Sequence, residues 1–139
     1  MTDQWTRDRI ELMDVMLNYA AGVDELDYPQ YQACFVDDVE ILDFTPEPYR
    51  GIGPWVEYVK QALSRYKATQ HFMGPMLATI DGDTAHGRTY VQASHYLKEP
   101  GPDGTTLTLW AVYETDFVRV GGQWKIKKHR LVTKNLRMH

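Results

Sequence analysis

The sequence predicts an α+β fold in which three helices and one short strand precede an antiparallel meander of four long strands. Two observations carry this expectation. Apolar residues recur at helical spacing through most of the first half, and from Ala68 onward the period falls to two. Turn signals divide that second half at Asp81-Gly82-Asp83, at Glu99-Pro100-Gly101-Pro102-Asp103-Gly104 and at Gly121-Gly122. The 139 residues contain no repeat, linker or low-complexity tract, so one domain spanning 1–139 is expected, long enough to bury a core without metal or disulfide support.

The first helix is read over residues 6–23, with Ile10, Met13, Leu17 and Ala20 on one row and Met16, Tyr19 and Val23 on the next. Gly22 is placed as its cap, and Asp27 before Tyr28-Pro29 starts a short second helix running to about Phe35. Asp24 then falls at the end of the first helix, where the dipole opposes a carboxylate, so a role beyond helix stability is sought for it. Val39 to Phe44 reads as a strand closed by Thr45-Pro46-Glu47-Pro48. Gly53-Pro54 opens a third helix that turns Trp55, Val59, Ala62, Leu63 and Tyr66 to one face.

Composition removes several function classes. Apolar residues are 43% and charged residues 24%, an ordinary globular balance, and the net charge of −4 argues against a nucleic-acid partner. The basic run Lys125, Lys127, Lys128 and Arg130 reads as one solvated strand edge. Cys34 is the single cysteine, set in the apolar stretch Ala33-Cys34-Phe35-Val36, which suits a buried thiol in a reducing cytoplasm. The start of the chain, Met1-Thr2-Asp3-Gln4, has no leader pattern, and no stretch reaches the roughly 18 apolar residues of a membrane span. No phosphate loop, Gly-x-Ser-x-Gly elbow or zinc-type Cys/His spacing is present, so no cofactor and no metal are expected.

Alternation assigns faces to the long strands. His95 shares a side with Thr89, Val91, Ala93 and Leu97, and Tyr113 shares one with Leu107, Leu109, Ala111 and Phe117. On the last strand Trp124, Ile126, Arg130 and Val132 fall together, which turns Arg130 inward and His129 outward. Gly74-Pro75 signals a bulge beside His71, which leaves its face open to this counting. The opposite sheet face, with Trp110, Val112 and Tyr96, suggests self-association as a homodimer or homotrimer.

The ordered segments Tyr19-Ala-Ala-Gly-Val-Asp24, Ala33-Cys34-Phe35-Val36-Asp37-Asp38-Val39, Thr69-Gln70-His71-Phe72, Asp81-Gly82-Asp83-Thr84-Ala85, Tyr113 and Gly122-Gln123-Trp124-Lys125-Ile126 span nearly the whole chain. Their order and spacing resemble the SnoaL-like families of the nuclear transport factor 2-like superfamily, which include scytalone dehydratase, bile acid 7α-dehydratase and hexachlorocyclohexane dehydrochlorinase. The resemblance implies a cone-shaped α+β barrel, a curved antiparallel sheet closed around one pocket by helices. It also implies a dyad of Asp24 and His71. Tyr19 then matches the position where the bile acid enzyme has a tyrosine and the dehydrochlorinase a lysine, and His95 is similar to a second pocket histidine of scytalone dehydratase.

A carboxylate that fixes one ring nitrogen of a histidine makes the other a general base, and Tyr19, His95 or Tyr113 would supply donors where charge develops. Phe35, Trp55, Tyr58, Val59, Met73, Tyr113 and Arg130 are the expected lining, suited to a hydrophobic, cyclic substrate. The expected activity is that of a cofactor-independent lyase or isomerase. Three other readings stay open: a non-catalytic binding module, an epoxide hydrolase or cyclase built on Asp24, Asp43 and Arg130, and a metal site using Asp24, His71 and His95.

Overall fold

The computed structural model describes residues 3–139; Met1 and Thr2, which belong to the segment read for a leader, lie outside the described residues. Helix α1 (Gln4–Asp24) opens with Asp3 accepting from the Thr6 amide. Helix α2 (Tyr28–Gln32) is capped by Asp27, which accepts from the Gln30 amide. Strand β1 (Phe35–Leu42), the short β2 (Tyr49–Arg50) and helix α3 (Ile52–Leu63) follow, then the long strands β3 (Tyr66–Asp81), β4 (Thr84–Gly101), β5 (Gly104–Val120) and β6 (Gln123–Met138). The α+β plan of the sequence is therefore the observed one, with all helices in the N-terminal half.

Two features of the sheet differ from expectation. The strand order is β2-β1-β6-β5-β4-β3, so β2 and β3 remain free edges and the sheet curls without closing into a barrel. Nor is it wholly antiparallel, because β1 lies parallel to β6. The connection from β1 passes through α3 and the whole meander before β6 returns beside it, and this topology is what brings the first and last strands together.

Gly22 lies inside α1 and does not cap it. A Cβ there would fall 2.7 Å from the Tyr31 backbone nitrogen, so the missing side chain lets α2 press against α1. The helix ends instead through Glu25 and Leu26, the latter with φ of 56°. The second helix stops at Gln32 and hands over to β1 at Phe35, earlier than the sequence suggested, since Phe35 pairs with Ile126.

The core lies between the helices and the inner sheet face, built on Leu12, Met16, Val39, Ile41, Ala93, Phe117 and Ile126. One polar staple crosses it. Asp8 of α1 accepts from Arg119 Nη1 at 2.6 Å and from Trp124 Nε1 at 3.3 Å, while Arg119 also binds Asp83 and the Gly82 carbonyl in the β3–β4 turn. On the outer face Val112 is buried between its cross-strand neighbours Tyr90 and Val132, and Trp110 and Tyr96 are half-buried. Large exposed side chains there include Phe72, Leu77 and Tyr90. Among the described residues no helix is long and apolar enough to cross a membrane.

Candidate active site

Asp24 ends α1 facing β3. Its Oδ2 accepts the His71 backbone N–H at 2.8 Å, and its Oδ1 accepts the Thr69 hydroxyl at 3.0 Å and His71 Nδ1 at 2.7 Å. Burial works against the Asp24 charge. The His71 side chain, the His71 amide and Thr69 outweigh it and hold the carboxyl below its usual range. Because an ionised carboxylate only accepts, His71 Nδ1 carries the proton and Nε2 is left as the basic nitrogen. These bonds replace the helix-end partners that the dipole denies Asp24, which is why this residue sits where helix energetics disfavour it.

His95, on β4, packs its ring 5.8 Å from that of His71. Its Nδ1 is 3.1 Å from the Leu107 carbonyl oxygen, which is acceptor only, so Nδ1 is protonated and Nε2 bare. Burial holds its pKa below the ordinary histidine value and keeps the ring neutral.

The two histidines line a cavity of about 140 Å³ whose walls are Trp55, Tyr58 and Val59 of α3, with Phe44, Leu109 and Val23, and whose floor holds Tyr19, Tyr31 and Tyr113. Through Phe44, Tyr58, Ala62, Leu63, His95 and Leu109 it is continuous with an outer vestibule of about 700 Å³. The expected lining residues Trp55, Tyr58, Val59 and Tyr113 are in place. Phe35 packs behind the floor against Tyr31 and Tyr19, with ring centroids 4.9 and 5.9 Å away, and Met73 packs against the core outside the cavity wall.

Arg130 and His129 exchange the faces that alternation gave them. Asp116 pairs with Lys128 and Phe117 with Ile126, so Lys127 is an extra residue on β6, and this bulge flips the side chains that follow, up to a second register shift at Lys134. His129 thereby enters the core with no exposure, and Arg130 turns outward to pair with Asp43 at 3.2 Å. The bulge predicted at Gly74-Pro75 is present between Met73 and Met76, and His71, which precedes it, lies on the inner face opposite Ala93. Sequence reading missed Tyr31, Phe44 and His129; the first two come from a short helix and a loop that carry no periodicity, and the third is hidden by a bulge with neither glycine nor proline.

His129 shapes the floor. Its ring bridges the Thr115 hydroxyl (2.9 Å, Nδ1) and the Tyr19 hydroxyl (3.0 Å, Nε2), one nitrogen donating and the other accepting. Complete burial pushes its pKa down to about 3. Trp55 Nε1 donates to the Tyr31 hydroxyl at 2.9 Å. Burial raises the pKa of Tyr31 and of Tyr19 strongly and that of Tyr113 to about 12, so all three phenols stay protonated as hydrogen-bond donors.

Asp24 bonds to Thr69 and His71, whereas Asp43 and Arg130 pair with each other, so the acid–arginine–acid set of an epoxide-opening site is not assembled. Among the described residues no group of three or more His, Cys, Asp or Glu side chains is arranged to hold a metal ion.

Comparison with known proteins agrees with this architecture. A Mycobacterium tuberculosis protein, Rv2910c, is 25% identical over 126 residues, covering 86% of this chain and 80% of its own. The Kfla4162 protein of Kribbella flavida superposes with a TM-score of 0.89 at 21% identity, covering 96% of this chain and 95% of its own. A Novosphingobium aromaticivorans protein described as a candidate scytalone dehydratase gives 0.90 at 22% identity, over 100% and 92%. The hexachlorocyclohexane dehydrochlorinase LinA type 2 gives 0.82 at 20%, over 94% and 88%. The model of the SnoaL-like domain matches residues 4–130, and the chain therefore belongs to the SnoaL-like domain family.

Proposed function

We propose that this protein is a cofactor-independent lyase or isomerase that removes a proton from a small, hydrophobic, cyclic substrate. The observation that carries the reading is the 2.7 Å contact between His71 Nδ1 and Asp24 at the inner end of an aromatic cavity. His71 Nε2 takes the proton, and Asp24 stabilises the imidazolium that results. Charge then develops on the substrate, as an enolate or at a departing hydroxide or halide. The protonated phenol of Tyr113 is the donor closest in kind to what that charge requires, while the Tyr19 hydroxyl is held by His129. His95, with a bare Nε2 in the same cavity, accepts a substrate hydroxyl and orients it, a different role from the donor role expected from sequence.

The relatives named as dehydratase and dehydrochlorinase support elimination, and the absence of any pairing between Asp24 and Arg130 favours it over epoxide opening. The test needs no knowledge of the natural substrate. Deuterium uptake from D₂O at the carbon next to the carbonyl is followed by mass spectrometry across a panel of cyclic ketones. Native protein is expected to accelerate exchange for at least one member, and Asp24→Asn and His71→Ala are each expected to lose about 100-fold or more, the usual size of a general-base contribution. Exchange equal in native and both variants would remove the dyad from the chemistry.

A further inference from the structure

Two formal charges line the outer vestibule, Asp43 and Arg65. Asp43 is neutralised by Arg130. Arg65 forms no ion pair among the described residues. It is nevertheless held in place: one Nη donates to the Tyr66 hydroxyl at 2.6 Å, and the guanidinium carbon lies 4.9 Å from the centre of the Tyr66 ring. Tyr66 in turn packs its ring 5.0 Å from His95, which packs against His71. A continuous row of groups thus runs from the exposed guanidinium to the inner base.

The rest of the vestibule is largely hydrocarbon, supplied by Leu107, Leu109, Leu131, Leu136, Ala62 and Leu63. A molecule filling it buries apolar surface along most of its length and meets one cation at the outer end. A guanidinium has five N–H donors, and the tyrosine occupies one of them. The remaining donors suit an oxyanion better than a neutral group, because charge-assisted bonds are the stronger kind.

We infer that the vestibule selects amphipathic ligands with an apolar ring body and a single anionic end, a carboxylate or sulfonate, which pairs with Arg65 while the rings extend inward toward His95. This rests on the cavity being the substrate site and adds the substrate's charge class. A cation at the mouth also favours entry of anions, although the effect falls with salt.

The experiment uses two dyes of one skeleton, 8-anilinonaphthalene-1-sulfonate and the uncharged N-phenyl-1-naphthylamine, titrated by fluorescence. Native protein is expected to bind both saturably, with the neutral dye displacing the anion. Arg65→Gln is expected to weaken the sulfonate about three- to tenfold, the scale of one solvent-exposed charged contact, and to leave the neutral dye unchanged. Arg65→Lys, which keeps the charge, should retain most of the sulfonate affinity.

Equal weakening of both dyes in Arg65→Gln, unchanged sulfonate binding, sulfonate that the neutral dye does not displace, or no saturable binding by native protein would each overturn the inference. Dye binding involves no proton abstraction. Failure of the dyad in the deuterium assay and failure of anion selection are therefore read separately.

Discussion

At the scale of single residues, the site depends on which proton sits on which nitrogen. Asp24 occupies three donors at once, and that fixes His71 in the Nδ1–H tautomer. Asp24→Asn presents an amide that can donate as well as accept, so the tautomer is no longer dictated. Long-range ¹H–¹⁵N spectra of His71 are expected to show a single Nδ1–H pattern in the native protein and a mixed or reversed one in the variant. Tyr19 differs from the role its sequence position implies, because its hydroxyl is engaged by His129 beneath the cavity. Tyr19→Phe leaves a buried ring nitrogen without a partner, for an expected loss of about 1–3 kcal/mol in urea unfolding. A smaller loss would mean that the Tyr19–His129 bond contributes little.

At the scale of elements, close approaches and bulges decide what the side chains meet. Gly22 is the point where α1 and α2 touch, and a methyl group there would strike the Tyr31 backbone, which cannot give as a flexible side chain would. Gly22→Ala is expected to cost about 1–3 kcal/mol by overpacking and to disturb the cavity floor through Tyr31. Urea unfolding together with near-UV circular dichroism measures both effects. The bulge at Lys127 matters in the same way. Deleting Lys127 would restore plain alternation, turning Arg130 into the core and His129 out of it, and is expected to abolish cooperative unfolding because a charged guanidinium would replace a neutral ring.

For the whole molecule, the buried histidine couples stability to pH. His129 has a folded pKa of about 3, below its unfolded value, so the unfolded chain binds the extra proton. The stabilisation is complete above the unfolded value, near 6.5, and is lost as pH falls toward 3, with a limiting slope of about 1.4 kcal/mol per pH unit. His95, also depressed by burial, acts in the same direction. His86 acts oppositely: burial works against its charge, but Asp116 and Glu114 outweigh it and raise its pKa, so its contribution is present at low pH and fades as pH rises. Unfolding free energy is expected to fall between pH 7 and pH 5, before most carboxylates titrate, and His129→Gln should flatten that fall while lowering stability at pH 7. An unchanged slope in the variant would mean that His129 is not the group responsible. The Asp8–Arg119 staple ties α1 to the β3–β4 turn and the strand ends, and Asp8→Ala is expected to lower the urea midpoint without changing dye binding in the distant vestibule.

The sequence by itself determined the order of the helices and long strands and the inward placing of His95 and Tyr113, because local periodicity and turn chemistry are properties of neighbouring residues. It also set Asp24 at a helix end where a carboxylate has no local reason to be, and the family resemblance supplied His71 as its partner. Only the tertiary structure decided that the sheet stays open, that β1 runs parallel to β6, and that His129 rather than Arg130 faces the core. Those outcomes depend on which strands pair and on one extra residue in a register. Both are set by the sum of long-range contacts, and no window along the chain contains that sum.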